Sequence, residues 1–303
     1  MSRKIVFFGE CMVELSKTTL GQFQQSFAGD MYNASVYLKR YIGDEADVSF
    51  CTAVGHDQLS QDMVSAFRSE QINDDLVFQS DLNPGLYMIQ TDDQGERSFQ
   101  YWRSNSAARQ FMACLKNSPL HDNFPKTDML VFSGITLAIL TDSDRKDFLS
   151  FLANQQKSGA QLVFDPNYRP LLWQDVESAR HWLNKAYELS DILLPGFEEE
   201  QHLFDRHDID QILDHLSKNG PKEIILKADE DGVFGQTIKG ERFQIPHQPA
   251  EKVIDTTAAG DSFLGTYIGA RLKNSSPTEA VSVAASFARE VVGHKGAIMP
   301  IET

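Results

Sequence analysis

The chain has 303 residues, 41% hydrophobic and 23% charged, which is enough apolar material for a substantial core without disulfide or metal staples. Its 43 acidic side chains outweigh 28 basic ones, and the net charge of −15 argues against nucleic acid or an anionic membrane as the main partner. Cys11, Cys51 and Cys114 lie far apart without CxxC spacing and read as reduced thiols. The start of the chain lacks a signal-like apolar stretch and no membrane-length apolar run follows, so a cytoplasmic location is expected.

In chain order, the apolar run KIVFFG at 4–9 predicts a buried first strand, ending at Gly9 and Glu10. Ala34, Leu38 and Tyr41 recur at helical spacing over 30–41, a strand follows at 48–54, and Leu59, Met63, Ala66 and Phe67 mark a helix at 58–70. Two aromatic-bearing extended runs, 85–91 and 97–103, then flank a turn at 92–96 and predict a β-hairpin inserted into an α/β scaffold. Strands are expected again at 129–133, 161–165, 191–194 and 223–227, separated by stretches long enough for helices. A second hairpin follows at 232–245, then helices at 259–272 and 277–293. Such repeated βα units favour a mostly parallel sheet covered on both faces. With no internal repeat or linker, one domain is preferred over two.

The segment VIDTTAAGDSF at 253–263 places small residues directly before a helix with Leu264, Ile268 and Leu272 on one face. A helix start with small side chains offers unpaired backbone N–H groups to an anion, and Asp261 would stand beside it as a proton acceptor. Asp261 as a plain first-turn acid, with Ala258, Ala259 and Gly260 as a tight turn, is equally compatible with this spacing.

DTTAAGDSF resembles the DTxGAGD signature of the ribokinase (PfkB) family of carbohydrate kinases, and AGDMYNASVYLKR at 28–40 resembles that family's GGxxxN helix, with Ala28 in place of the first glycine. The resemblance implies a ribokinase-like α/β fold over 1–303, with a small β-sheet lid drawn from about 11–27 and 84–103. It also implies ATP with Mg2+, and a homodimer through the lid. By the same resemblance Asp261 is the catalytic base, Ala258, Ala259 and Gly260 form the anion hole, and Asp255 lies close to the transferred phosphoryl group on the substrate side.

Within the family the likeness is to kinases of 2-keto-3-deoxygluconate, carried by GECMVEL, PGLYMI, YWRSNSAA, SGITLAIL and FDPNYRPLLW. It assigns Gly29, Asp30, Asn33, Tyr87, Tyr101, Arg103 and Arg169 to the substrate, the arginines to its acid end. Read alone, Asp30 could be an N-cap and Arg103 a solvated hairpin residue. Asn167, Lys227, Gly232 and Gly260 fall on the nucleotide side. The likeness breaks at KADEDG, 227–232, where Asp229 replaces a usual glycine, and at the N-x-x-E motif, where Gly196 replaces asparagine and leaves Glu199 as the metal candidate.

No GxxxxGK[ST] is present, so ATP would be held without a P-loop. The cluster of His202, Asp205, His207, Asp208, Asp210, Asp214 and His215 suggests a metal site, but interleaved Leu203, Ile212, Leu213 and Leu216 explain it better as the wet faces of two short helices. The expected reaction is transfer of phosphate from ATP to the 6-hydroxyl of 2-keto-3-deoxy-D-gluconate. A ketose kinase such as a fructokinase, or a non-catalytic sugar-acid-binding regulator, are the alternatives.

Overall fold

The run RKIVFF forms β1 (Arg3–Phe8), and its alternation explains its central place: Ile5 and Phe7 enter one apolar core, Val6 and Phe8 the other. A strand buried on both faces needs cover on both. The structure, a computed structural model, describes residues 2–19, 21–91 and 97–300. The turn expected at 92–96 lies outside them.

After β1 come β2 (Met12–Thr19), β3 (Gln22–Ala28), α1 (Asp30–Ile42), β4 (Ala46–Val54), α2 (Gln58–Ser69) and the short β5 (Val77–Gln79). The strands of the aromatic hairpin are β6 (Leu86–Thr91) and β7 (Arg97–Trp102), followed by α3 (Phe111–Lys116). Strand and helix then alternate through β8 (Met129–Ser133), α4 (Gly134–Ala138), α5 (Asp142–Lys157), β9 (Gln161–Asp165), α6 (Val176–Leu189) and β10 (Ile192–Leu193). Next are α7 (Phe197–Phe204), α8 (Ile209–Ser217), β11 (Glu223–Lys227) and the second hairpin, β12 (Val233–Thr237) with β13 (Arg242–Ile245). The last helices are α9 (Ala259–Leu272) and α10 (Pro277–Val291).

One sheet runs β13-β12-β11-β10-β9-β8-β1-β4-β5, parallel from β11 to β5 and antiparallel only where β12 and β13 fold back on its edge. Helices α1, α2, α9 and α10 fill one face, and α3 to α8 the other. The expected α/β class, with its mostly parallel sheet and helices on both faces, is the observed one. The residues 11–27 and 84–103 supply a separate four-stranded sheet, β3-β2-β6-β7, in which β2 and β6 are parallel neighbours.

Helix α9 departs from its expected single apolar face. Every residue from Ser262 to Ala270 is buried, because the helix is enclosed by α1 and α10 as well as the sheet. Gly265 makes this possible: a Cβ there would lie 2.3 Å from the Ala34 oxygen, so α1 and α9 meet backbone to backbone. The acidic and histidine-rich stretch folds as the two short helices α7 and α8, burying Leu203, Ile212, Leu213 and Leu216, while Arg242 of β13 pairs with Asp210 at 2.6 Å and with Asp214.

Candidate active site

In parallel sheets ligands gather beyond the carboxyl ends of the strands. Here those ends carry Glu10 after β1, Asp165 and Asn167 at β9, Gly196 after β10 and Lys227 on β11. The start of α1 approaches the same edge, and Gly29 permits it: a Cβ would fall 2.0 Å from the Glu10 carbonyl oxygen. Asp30 is therefore the first helical residue rather than the N-cap, which is Gly29.

The close contact of α1 with α9 brings Asn33 to Asp261, and Asn33 Nδ2 donates to Asp261 Oδ2 at 2.8 Å. Burial pushes the Asp261 carboxyl up to about 8, with the charges of Asp30 and Asp165 adding to the rise and the Asn33 bond and Arg169 opposing it. A carboxyl tuned there is poised to exchange a proton near neutral pH. At the same helix start, the Ala259 N–H is already given to the Thr256 oxygen at 3.2 Å, and Ser262 N–H closes the first turn onto Ala258. Of the three residues expected to form the anion hole, only Ala259 thus has its N–H engaged. Among the described residues the N–H groups of Ala258, Gly260 and Asp261 have no acceptor. A Cβ on Gly260 would meet no protein atom within 4 Å, so packing does not require glycine there.

Asp255 is buried and engaged. Thr257 donates to Oδ1 through its N–H at 3.1 Å and its hydroxyl at 2.6 Å, and Gly296 N–H donates to Oδ2 at 2.7 Å. These bonds tie the small-residue turn to the segment after α10, so this carboxylate shapes the turn, a structural part that its expected substrate contact did not include.

Asn167 joins two halves of the site. Its Nδ2 donates to Asp30 Oδ2 at 3.0 Å, while its N–H donates to Asp165 Oδ1 at 3.2 Å. It does so with φ at 35°, a left-handed backbone that asparagine tolerates better than most residues. Burial raises the Asp30 carboxyl, against hydrogen bonds from Ser133 and Asn167 and the charge of Arg103. Lys227 Nζ is held by both Asp165 oxygens, at 3.0 and 2.8 Å. Burial alone would lower the ammonium; Asp165 and Glu199 outweigh it and hold Lys227 above its usual value.

Glu199, the expected metal candidate, has each carboxylate oxygen engaged by a backbone donor. Oε1 accepts the Tyr168 N–H at 2.7 Å and Oε2 the Gly196 N–H at 2.8 Å, so the carboxylate staples the loop after β9 to the start of α7. Among the described residues no group of three or more His, Cys, Asp or Glu side chains could hold a metal ion. Asp229 has φ at 39°, the backbone region that explains why a glycine would be usual there. Gly232 packs against the hairpin, where a Cβ would lie 2.2 Å from the Ile245 oxygen.

On the four-stranded sheet, register places Ser26, Glu14, Tyr87 and Tyr101 side by side across β3, β2, β6 and β7. Ser26 Oγ donates to Glu14 at 2.9 Å, Tyr87 OH donates to the same buried carboxylate, and the rings of Tyr87 and Tyr101 lie 5.6 Å apart. Tyr87 is buried; Tyr101 is half exposed. Arg103, just past β7, pairs with buried Glu10 and is not a solvated hairpin residue. Arg169 is exposed, its charge felt at Asp261. Glu10, Glu14, Asp165 and Ser106 were not expected. A glutamate immediately after a buried strand was the available signal for Glu10.

A carboxyl near neutrality beside unpaired helix-start donors, with the charges of Lys227 and Arg169 felt around it, suits proton removal next to a phosphoryl anion. Comparison with known proteins places the chain in a family. A 2-dehydro-3-deoxygluconokinase of Escherichia coli strain K12 is 36% identical over 100% of this chain and 99% of its own. One of Haemophilus influenzae is 35% identical over 98% of this chain and 96% of its own. A fructokinase of Salmonella typhimurium is 25% identical, covering 92% of this chain and 88% of its own. Among solved structures, a PfkB protein from Polaromonas superposes with a TM-score of 0.85 at 22% identity over 98% of this chain and 97% of that one. A fructokinase with bound ATP from Xylella fastidiosa gives 0.83 at 21% identity, over 99% and 96%. Residues 2–303 match the profile of the pfkB family carbohydrate kinases, and with full-length relatives above 30% identity this chain belongs to that family.

Proposed function

We propose that this carbohydrate kinase transfers the γ-phosphoryl group of ATP to the terminal hydroxyl of 2-keto-3-deoxy-D-gluconate. The observation that carries the reading is Asp261, its carboxyl raised to about 8, beside its own N–H and that of Gly260, which have no acceptor among the described residues. The sugar hydroxyl oxygen forms the new bond to phosphorus, the bond to the bridging oxygen of ADP breaks, and the hydroxyl proton passes to Asp261. The helix-start donors stabilise charge on the phosphoryl oxygens, and Lys227, braced by Asp165, adds a positive charge on the nucleotide side. The described residues form no cage for magnesium, which fits an ion carried mainly by ATP oxygens and water; when bound, it neutralises phosphate charge. Arg169 and Arg103 supply the charge and donors for the acid end of the sugar, Asp30 and Asn33 lie at its hydroxyls, and Tyr87 and Tyr101 flank it from the small sheet.

The two sheets work as one unit in this reading, the four-stranded sheet acting as a lid. It exposes Phe23, Phe99, Tyr101 and Trp102, at 50, 41, 49 and 51%, a surface suited to a second copy of the lid. Light scattering at micromolar concentration should give a dimer mass; a monomer mass rejects that part. The reaction is tested by ADP release from ATP and magnesium with 2-keto-3-deoxygluconate, fructose, ribose and gluconate, using Asp261→Asn as control. Selective turnover of the keto-deoxy acid supports the substrate, fructose turnover replaces it with a ketose, and no turnover with any sugar refutes the catalytic reading.

A further inference from the structure

The Glu10 carboxylate follows β1 directly and is 1% exposed. A carboxylate buried this far needs partners, and it has two, both from the segment that follows the lid strand β7. Arg103 Nη2 donates to Oε2 and Ser106 Oγ donates to Oε1. Ser106 is itself buried, and the next residue, Ala107, is fixed by its N–H to the Asn83 oxygen at 2.8 Å. Gly85 faces this cluster, where a Cβ would lie 2.7 Å from Glu10 Oε1 and 3.3 Å from the Arg103 Cβ. The clamp therefore occupies the space a side chain at position 85 would take.

The guanidinium is not saturated by this clamp. Arg103 has 10% of its side chain exposed, and its buried Nε has no hydrogen-bond partner in the described structure. A buried donor left unpaired is costly, and a ligand oxygen arriving beside Arg103 would supply the acceptor that the fold does not. Arg103 is also close enough to Asp30 for its charge to be felt there, which places it at the sugar side of the site. If the Glu10 pair served only to join the two sheets, a fully used guanidinium would do so better.

We propose that Glu10 is a positioning residue for substrate selection: with Ser106 it fixes the Arg103 guanidinium so that the remaining N–H groups meet the acid end of the sugar. This rests on the reading of the substrate as a sugar acid. The carboxylate takes one edge of the arginine, and the sugar's carboxylate or keto oxygen takes what is left. A planar fork held in this way loses little freedom on binding, which is why Arg103 would be clamped rather than left to swing.

The test is steady-state kinetics on the full chain with Glu10→Gln, Arg103→Ala and the double variant, together with Ser106→Ala. Glu10→Gln keeps the size and one acceptor but gives up the ion pair. Its KM for 2-keto-3-deoxygluconate should rise about tenfold, with the loss in KM and not in kcat and with the KM for ATP unmoved. The double variant should be no worse than Arg103→Ala, because Glu10 acts only through that arginine. Ser106→Ala, a milder change, should raise the same KM about threefold and covers the case in which Glu10→Gln fails to fold. Losses that multiply in the double variant, or equal changes in KM for sugar and ATP, overturn the proposal. Failure of the substrate reading shows separately, as a wild-type chain that does not turn over the keto-deoxy acid; the same cycle is then measured with the sugar it does phosphorylate, and an additive result there overturns the clamp.

Discussion

Replacing Asp261 by asparagine should do two opposed things, weakening catalysis and strengthening the fold. Asparagine keeps the shape, and its oxygen can still accept from Asn33 Nδ2, which lies 2.8 Å from the carboxylate. What it removes is a group that the fold pushes from 3.8 to about 8, chiefly by burial. That difference corresponds to about 6 kcal/mol against the ionised form. The folded chain holds a proton that the unfolded chain has released, so this contribution to stability is full below the unfolded value near 4 and is lost as pH rises towards about 8. Between pH 5.5 and 8 the ceiling on the change is about 3 kcal/mol, and the partial solvent access of Asp261 reduces it to about 2. Urea unfolding of wild type and variant at pH 5.5 and 8.5, with equal m-values, measures it. The variant should be the more stable protein at pH 8.5 by about 2 kcal/mol beyond any difference at pH 5.5, while kcat falls by about 10² to 10⁴. A gain identical at both pH values, or a less stable variant at pH 8.5, would refute the assignment of a strained, functional carboxyl.

The same carboxyl must be ionised to accept a proton, so kcat/KM of the wild type should decline towards tenfold per pH unit below about 8 and level off above it; a flat profile from pH 6 to 8 would contradict this. Gly260→Ala meets no protein atom within 4 Å, so melting temperature should hold or rise slightly, yet kcat should drop at least about tenfold because the methyl crowds the helix-start donors. Asp165→Asn strands the Lys227 ammonium without its charge partner, and should cost about 3 kcal/mol in unfolding free energy and raise the KM for ATP; an unchanged KM would remove Lys227 from the nucleotide side.

Strands β8, β9 and β11 and helix α9 have the bounds their residues predict, because continuous apolar runs closed by polar turns leave little freedom. Periodicity gave no comparable signal for β3, whose QFQQSFA is mostly exposed, or for β5, which is three residues long; the strand at 11–27 came from the family likeness instead. In the site, the helix expected at 30–41 carried Asp30 and Asn33, but the sequence could not name their partners. Asn33 finds Asp261 228 positions away and Glu10 finds Arg103 93 positions away, pairings that exist only once α1 crosses α9 and the small sheet closes on the large one. The replaced glycine at 229 and asparagine at 196 looked like losses, yet Asp229 takes up the left-handed backbone itself and Gly196 still caps α7 with Glu199.

The double attachment of Asn167 has a thermodynamic consequence. Its side chain serves Asp30 and its backbone serves Asp165, which in turn grips Lys227, so two ligands arriving from opposite sides would contend for one peptide. Whatever factor a sugar imposes on nucleotide affinity through that peptide, the nucleotide must impose on sugar affinity in equal measure. Any coupling between ligands held at Asp30 and at Lys227 would in this sense run through one asparagine in an uncommon backbone conformation.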